Sequence, residues 1–424
     1  MAKNNFFCIF VGMRKILTII LCFLCLALNA QVKPGVEVLQ DLGFKGLVGK
    51  NVGLLTNPSG VDRHLRSTID ILYNAPGVHL KAIFAPEHGA RGDATAGEHV
   101  ESYTDPVTKL PVYSVYGETR KPTPKMLQGL DVVVYDIQDV GTRSYTFISS
   151  LGLMMQACAE QGIAVMVLDR PNPLGGLKVE GCLVEQPFNS FVSQYKIPYV
   201  YGLTVGELAW MINEEGMNRG QKGVDVPRKC KLTIIPMVGW KRNMLYSDTG
   251  LPWVLPSPNI PYPETAINYP AAGLCGEFYG YLQVGIGYTL PFGVFAASWM
   301  DADKLKAKLD SYKIPGTSFR TIHYKPFSGG SSGKLIHGVQ FFFTDYEAAQ
   351  ITLTQFYVMQ AVYELYKKDP FQISPSRIAM FNKCCGTDYV SSTFRKTFKV
   401  SSIIDYWSKD VEAFKELSKK YYIY

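Results

Sequence analysis

Residues 36–176 alternate short apolar runs with segments of helical periodicity. The apolar runs predict strands at 52–56, 78–85, 131–137 and 163–168, and the periodic segments predict helices at 65–73 and 145–161. Strands that are apolar along their whole length are typical of a parallel sheet covered by helices on both faces. The pattern therefore predicts an α/β domain with a mainly parallel sheet, which we extend over residues 31–250.

A second, smaller α/β domain is predicted over residues 291–424. Its pattern indicates strands at 319–325 and 338–344 and helices at 302–310, 350–367 and 409–419. The proline-rich segment 251–290 between the two domains is predicted to be a connection, extended over 252–270. Thr204 and Glu207 have the spacing of a capping box, which predicts a helix start there and a structural role for Glu207.

Residues 1–30 have the pattern of a signal peptide. A nearly continuous apolar run from Ile16 to Ala30 follows Arg14 and Lys15, and it is too short for a transmembrane helix. We expect cleavage near Ala30 and export to the periplasm or the medium, with no stable membrane insertion afterwards.

Each predicted strand is followed, at its carboxyl end, by a polar turn rich in glycine and proline. In open α/β sheets, ligands bind in the crevice beyond those ends. We therefore expect side chains from distant parts of the chain to converge there: Asn57, Glu87, Asp136, Gln138, Asp139, Arg143 and Asn172. The alternative is that such turns only need residues suited to their backbone angles, although Glu, Gln and Arg have no such role.

The segment Pro86–Asp93 is the densest group of reactive side chains. A carboxyl at the end of a buried strand, such as Glu87, is suited to general acid catalysis because desolvation favours its protonated form. His88 and Arg91 would supply hydrogen bonds or charge. The structural alternatives are a salt bridge from Glu87 to Arg91 or Arg143, and a purely structural His88.

Asp136 and Asp139 are candidates for a second catalytic carboxylate, because glycoside hydrolysis commonly uses two. In an extended strand, Asp136 and Gln138 point to one face and Asp139 to the other. Two structural interpretations stay open: Asp139 caps the following helix, and Asp136 pairs with Arg143 or Arg170.

Other chemistries find less support. Glu87-His88 and Glu98-His99 resemble a zinc ligand set only loosely, since no H-E-x-x-H spacing is present, and we expect no metal or other cofactor. The segment 329–334 lacks the full phosphate-loop pattern, and no G-x-S-x-G occurs.

Composition narrows the function further. The 43 Lys and Arg against 36 Asp and Glu leave a mild net charge of +7 without a basic stripe, so nucleic acid is an unlikely partner. Aromatic residues reach 13%, which suits a carbohydrate cleft and equally suits well-packed cores.

Six cysteines follow residue 30. Their even number permits disulfides, but their spacing matches no framework, and Cys158 is predicted to be buried.

Several of these segments together resemble one known family. They are Leu54–Gly60, Pro86–Gly92, Leu110–Gly117, Asp136–Thr146 and Asp169–Gly176, which resemble in order the motifs of the NamZ/YbbC exo-β-N-acetylmuramidases. The resemblance covers roughly residues 35–424 and is densest up to residue 210.

This resemblance implies a Rossmann-like domain, a smaller domain, and a cleft between them. It implies release of non-reducing-end N-acetylmuramic acid from peptidoglycan fragments, with Glu87 as the essential carboxyl. Family motif positions that are candidate sugar contacts are Asn57, His88, Arg91, Tyr113, Tyr116, Gln138, Arg143 and Tyr145. An arginine would suit the lactyl carboxylate through a bidentate pair.

The segment 276–289 departs from the family pattern. Ile286 stands where family members usually carry an arginine, and Glu277 fits the acidic position only with a shift of register; it is a candidate for a second acid or a substrate contact. The departure leaves open a sugar-binding protein without turnover. The Glu87-His88 and Glu98-His99 pairs leave open, with less support, a metal-dependent hydrolase.

Overall fold

The computed structural model describes residues 31–92, 101–217, 229–278 and 280–424. The predicted signal peptide and the Glu98-His99 pair lie outside the described residues, as does Asp93.

A seven-stranded, mainly parallel sheet forms the first domain, as predicted. Its strands stand in the order β3-β4-β2-β1-β5-β6-β7, and all neighbours are parallel except β3 and β4. Their bounds are β1 Asn51–Thr56, β2 His79–Ala85, β3 Tyr103–Thr104, β4 Pro111–Ser114, β5 Val132–Asp136, β6 Ala164–Leu168 and β7 Lys231–Ile235. The four predicted strands are β1, β2, β5 and β6, each within two residues of its predicted bounds.

Helices cover both faces of this sheet. They are α1 Gly35–Asp41, α2 Thr68–Tyr73, α3 Phe147–Gln161 and α4 Val205–Glu214. Successive strand residues enter opposite cores: Leu54 packs with Ile69 on the α1/α2 side, and Leu55 packs with Leu151 on the α3/α4 side. This alternation explains why the strands are apolar along their whole length. The capping box at Thr204 and Glu207 is confirmed at the start of α4.

The second domain is built on a three-stranded antiparallel sheet. Its strands are β8 Val294–Ala297, β9 Thr317–Tyr324 and β10 Ile336–Phe343, in the order β8-β10-β9. Its helices are α5 Pro263–Gly276, α6 Ala302–Ser311, α7 Thr354–Tyr366, α8 Pro375–Cys385, α9 Tyr389–Thr397, α10 Ile404–Ser408 and α11 Val411–Ser418.

The expectation of an extended connection over 252–270 is wrong from Pro263 onwards, where α5 begins. Proline fits the first turn of a helix because its missing N–H would have no partner there. Pro270 lies inside α5, and its carbonyl accepts a hydrogen bond from Gln355 Nε2 at 2.9 Å. Helix α5 is thus part of the second domain's core, where Ala271 and Leu274 are fully buried.

The two domains share that core. Val140, Leu174, Cys182 and Tyr199 of the first domain are buried in the same cluster as α5 and α7. The end of the chain returns to the first domain, where Tyr424 donates a hydrogen bond to Asp169 Oδ2 at 2.7 Å. In the described part of the chain, no helix is both long and apolar enough to cross a bilayer.

All six cysteines after residue 30 are buried free thiols, and Cys158 is buried as predicted. Burial raises the pKa of Cys182 and of Cys230 to about 11, because the thiolate is poorly solvated there.

We therefore expect a chain starting at Gln31 to show no fast-reacting thiol while folded. A thiol-specific reagent should count six thiols once guanidinium has unfolded the chain in the absence of reductant. Fewer than six, or one that reacts rapidly in the native protein, would contradict this arrangement.

Candidate active site

The polar residues at the strand ends do converge, but they mostly bind one another and the backbone. Asn57 Oδ1 accepts hydrogen bonds from the Ser59 N–H at 3.0 Å and from its hydroxyl, and Ser59 Oγ accepts the Gln138 N–H at 2.9 Å. Gln138 Nε2 donates to the Pro171 carbonyl at 2.7 Å, and Asn172 Nδ2 donates to Leu203 at 2.9 Å. Asn57, Gln138 and Asn172 are buried, and their hydrogen bonds tie the loops together; that they contact a sugar stays a prediction.

Glu87 occupies a tight turn directly after β2. The Gly89 N–H donates to the Pro86 carbonyl at 3.1 Å, which closes the turn. His88 has a φ of 75°, a conformation that non-glycine residues adopt at a cost of roughly 1–2 kcal/mol. The His88 ring is buried edge-on against Phe147, with centroids 6.4 Å apart, so the turn holds Glu87 half-buried at the sheet edge.

The start of helix α3 contacts Glu87. Thr146 precedes the helix, and its hydroxyl donates to Glu87 Oε2 at 3.0 Å instead of capping the helix. The positive end of a helix dipole favours a nearby negative charge. The Glu87 carboxyl is therefore held beside the amino-terminal end of α3 by a hydrogen bond from Thr146.

Three tyrosines surround the same carboxyl. Burial raises the pKa of Tyr116, and a hydrogen bond to Glu87 together with its negative charge raises it further. Burial likewise raises the pKa of Tyr145 and of Tyr269, and both also sense the charge on Glu87. The three phenols therefore stay protonated, and Tyr116 is the one of them that hydrogen-bonds Glu87.

Tyr269 brings the second domain into the site. It lies on α5, its ring packs edge-on against Tyr145 with centroids 5.6 Å apart, and its hydroxyl lies 3.1 Å from Ser144 Oγ. Glu277, directly after α5, also raises the pKa of Tyr269. Burial raises the pKa of Glu277 itself, an effect that the charge of Arg377 opposes. Carboxyls of both domains thus act on Tyr269, consistent with the cleft implied by the resemblance.

Asp136 is not a catalytic carboxylate; its structural interpretation is correct. It is fully buried and forms an ion pair with Arg170, whose Nε and Nη2 donate to its two oxygens at 2.5 and 2.8 Å. Thr68 donates a further hydrogen bond to it. A carboxylate so engaged has no oxygen free for a substrate or a water molecule.

Asp139 is buried as well, and it does not cap α3. Its Oδ2 accepts the Gly141 N–H at 2.7 Å and the Tyr201 hydroxyl, so it closes its own turn. Burial raises the pKa of Asp139 to about 6. Gly141 is required in this turn: its φ is 74°, and a Cβ there would lie 2.3 Å from Asn172 Oδ1. Through Oδ2, Asp139 thus has a structural role in its own turn.

Arg143 is not a substrate contact, because all five of its N–H groups are used inside the protein. Nε donates to Ser193 Oγ at 3.2 Å, Nη1 to the carbonyls of Cys182 and Ile197 at 2.8 and 2.6 Å, and Nη2 to those of Cys384 and Cys385 at 3.1 and 2.6 Å. The last two residues end α8, where the negative end of the helix dipole favours a cation.

Arg91 is also engaged elsewhere. Its guanidinium forms a bidentate pair with the buried Asp105, at 2.6 and 3.1 Å, and the pair holds the pKa of Asp105 well below its usual range. This pairing occupies the fork that was predicted to contact sugar. Tyr113 lies on β4 and packs against Phe84 with ring centroids 5.8 Å apart.

Sequence reasoning missed Tyr269 and gave no role to Thr146. Tyr269 lies in the proline-rich segment 252–270, which was predicted to be an extended connection, so it was not considered as a site residue. Thr146 follows Tyr145 at the end of the motif Asp136–Thr146 and lies in the first turn of the helix predicted over 145–161. That position was the sequence signal that could have indicated a role for Thr146.

A cavity of about 790 Å³ lies elsewhere, between the domains. Lys178 donates to the carbonyls of Tyr346 and Ala349 at 2.6 and 2.9 Å, and Glu180 accepts the Thr352 N–H at 2.8 Å. Its charged groups thus join the two domains. Within the described ranges, no three His, Cys, Asp or Glu side chains cluster as a metal ligand set.

Comparisons with known proteins agree with this architecture. Residues 52–264 match the family described as exo-beta-N-acetylmuramidase NamZ, N-terminal, and residues 267–424 match its C-terminal counterpart. The chain is 41% identical over 398 residues to the peptidoglycan beta-N-acetylmuramidase NamZ of Bacillus subtilis (strain 168), covering 94% of this chain and 92% of that protein.

Two solved structures are also similar, both of DUF1343 family proteins from Bacteroides fragilis NCTC 9343. One is 49% identical with a TM-score of 0.88, covering 93% of this chain and all of that one. The other is 29% identical with a TM-score of 0.72, covering 93% of this chain and 99% of that one.

Arg143→Met should lower the free energy of unfolding by about 3 kcal/mol or more, since it leaves several buried acceptors without a donor. Arg395→Met is the matched control: the Arg395 side chain is 48% exposed, so its ion pair with Asp369 should contribute less than about 1 kcal/mol. Guanidinium unfolding monitored by tryptophan fluorescence measures both, and equal midpoints for the two variants would contradict this role for Arg143.

Proposed function

This chain belongs to the exo-β-N-acetylmuramidase NamZ family, and we propose that it hydrolyses the glycosidic bond of a non-reducing-end N-acetylmuramic acid in peptidoglycan fragments. The observation that carries the proposal is the environment of Glu87. This carboxyl is half-buried, is bound by Thr146 and Tyr116, and lies close enough to Tyr269 of the second domain for its charge to raise the pKa of that phenol.

Glu87 acts as the general acid. It gives its proton to the glycosidic oxygen, so that the leaving sugar departs as a neutral alcohol. The hydrogen bonds from Thr146 and Tyr116 then stabilise the carboxylate that forms, because both groups are donors aimed at it.

The second half of the reaction is assigned to the substrate. Asp136 is held by Arg170 and Asp139 is buried in its turn, so neither is placed to attack the sugar. We propose that the carbonyl oxygen of the substrate's 2-acetamido group attacks the anomeric carbon as the glycosidic bond breaks. Glu87, now ionised, takes a proton from the water that opens the resulting oxazolinium ring. Glu277 is the remaining candidate for a second carboxylate.

We propose that the protein works after export, in the periplasm or outside the cell, in the turnover of cell-wall fragments. The support is the signal-peptide pattern of residues 1–30 and the family's substrate. Amino-terminal sequencing of the exported protein tests this, and a mature chain starting at Gln31 is expected.

Glu87→Gln should lower the kcat for release of N-acetylmuramic acid from a MurNAc-GlcNAc disaccharide by about 10²- to 10⁴-fold, the usual contribution of general acid–base catalysis. The melting temperature should hardly change. Asp136→Asn should instead lower the melting temperature, because it leaves the buried Arg170 without its partner.

Glu214→Gln, at an exposed ion pair with Lys229, is the matched control and should leave both quantities unchanged. A Glu87→Gln variant that keeps a tenth of the activity would reject Glu87 as the acid. If the unmutated chain binds the disaccharide without releasing sugar, the sugar-binding function is correct instead. Lasting inactivation by EDTA would favour the metal-dependent hydrolase.

A further inference from the structure

The proposed substrate carries a carboxylate that none of the predicted arginines is free to bind. N-acetylmuramic acid differs from N-acetylglucosamine by its lactyl ether, which ends in a carboxyl that is ionised at neutral pH. The planar fork of an arginine is the protein group best matched to a carboxylate. Arg91 is paired with Asp105, and Arg143 is fully used inside the protein.

Another arginine, Arg120, lies beside the residues that surround Glu87. It follows β4 by six positions, and its guanidinium carbon is 4.5 Å from the centroid of the Phe191 ring. The centroids of Phe191 and Tyr116 are 6.3 Å apart. Tyr116 in turn hydrogen-bonds Glu87, and the charge of Arg120 lowers the pKa of Tyr116. A short chain of contacts therefore connects Arg120 to the catalytic carboxyl.

Arg120 is exposed and keeps its charge available. Among the described residues, no Asp or Glu oxygen lies within 4.0 Å of its nitrogens, although most other arginines of this domain are ion-paired. A guanidinium that rests on an aromatic face keeps its in-plane N–H groups directed outwards. The contact with Phe191 thus holds the fork in place while leaving it able to take a carboxylate.

We propose that Arg120 binds the lactyl carboxylate of the muramic acid residue whose bond Glu87 cleaves. The proposal rests on the proposed function and adds a basis for its substrate specificity. The positive charge of Arg120 favours an acidic sugar over a neutral one at a site whose phenols are uncharged. Arg120 is therefore a substrate-binding residue and takes no part in proton transfer.

The test uses two p-nitrophenyl substrates, β-MurNAc with a free lactyl carboxylate and its lactyl methyl ester, on the unmutated chain and on Arg120→Gln. We expect the unmutated chain to prefer the free acid by about 10- to 100-fold in kcat/KM, mainly through KM, in line with a charge-assisted pair. In Arg120→Gln this preference should fall to within about threefold of unity. Arg120→Lys should restore part of it, because lysine keeps the charge but not the fork.

Arg395→Gln, an exposed arginine of the second domain, is the control and should keep the full preference. Equal loss of activity on both substrates in Arg120→Gln, or an unchanged preference, overturns the proposal. If the unmutated chain hydrolyses neither substrate, the proposed hydrolysis is rejected. Calorimetric titration with free MurNAc and its methyl ester then decides on Arg120, and equal affinities with and without this arginine overturn its role.

Discussion

A buried cation without a carboxylate partner fixes the geometry of this protein. Arg143 is fully enclosed, and its charge is balanced by four backbone carbonyls and a hydroxyl. Two of those carbonyls end α8 of the second domain, while the others belong to the first. The guanidinium therefore sets how the two domains meet, because moving either one would leave buried donors or acceptors unpaired.

The surroundings of Glu87 depend directly on the position of Arg143. The three residues after Arg143 are Ser144, Tyr145 and Thr146; they bind the Tyr269 hydroxyl, pack against the Tyr269 ring, and donate to Glu87. Because Arg143 fixes this short segment at the domain interface, the segment in turn fixes the position of the Glu87 carboxyl. This placement is consistent with general acid catalysis, which requires the carboxyl within hydrogen-bond distance of the reacting oxygen, because a misplacement of about 1 Å can lower the rate on the order of 10²-fold.

Polar residues at the carboxyl ends of the strands divide into two groups. Asn57, Gln138 and Asn172 satisfy backbone groups of the loops that cross the sheet edge, which a buried loop requires. Glu87 differs because its turn, with His88 in a left-handed conformation, holds it half-buried at the edge of the sheet. Polar residues at the strand ends therefore do converge, and Glu87 is set apart from Asn57, Gln138 and Asn172 by its greater exposure.

The sequence by itself determined the parallel sheet, the strand ends that share one edge, the capping box of α4 and the family. Each of these features depends on local periodicity or on a contiguous motif, and so on residues that lie close together in the sequence. It also pointed to Glu87 as the reactive carboxyl of its motif. Only the tertiary structure decided which partners the other charges took: Asp136 with Arg170, Arg91 with Asp105, and Arg143 with the end of α8. The tertiary structure also brings Tyr269 close to Glu87, from a segment whose prolines predicted an extended connection. Ion pairs and burial depend on residues that are 14 to more than 200 positions apart, so no local pattern specifies them.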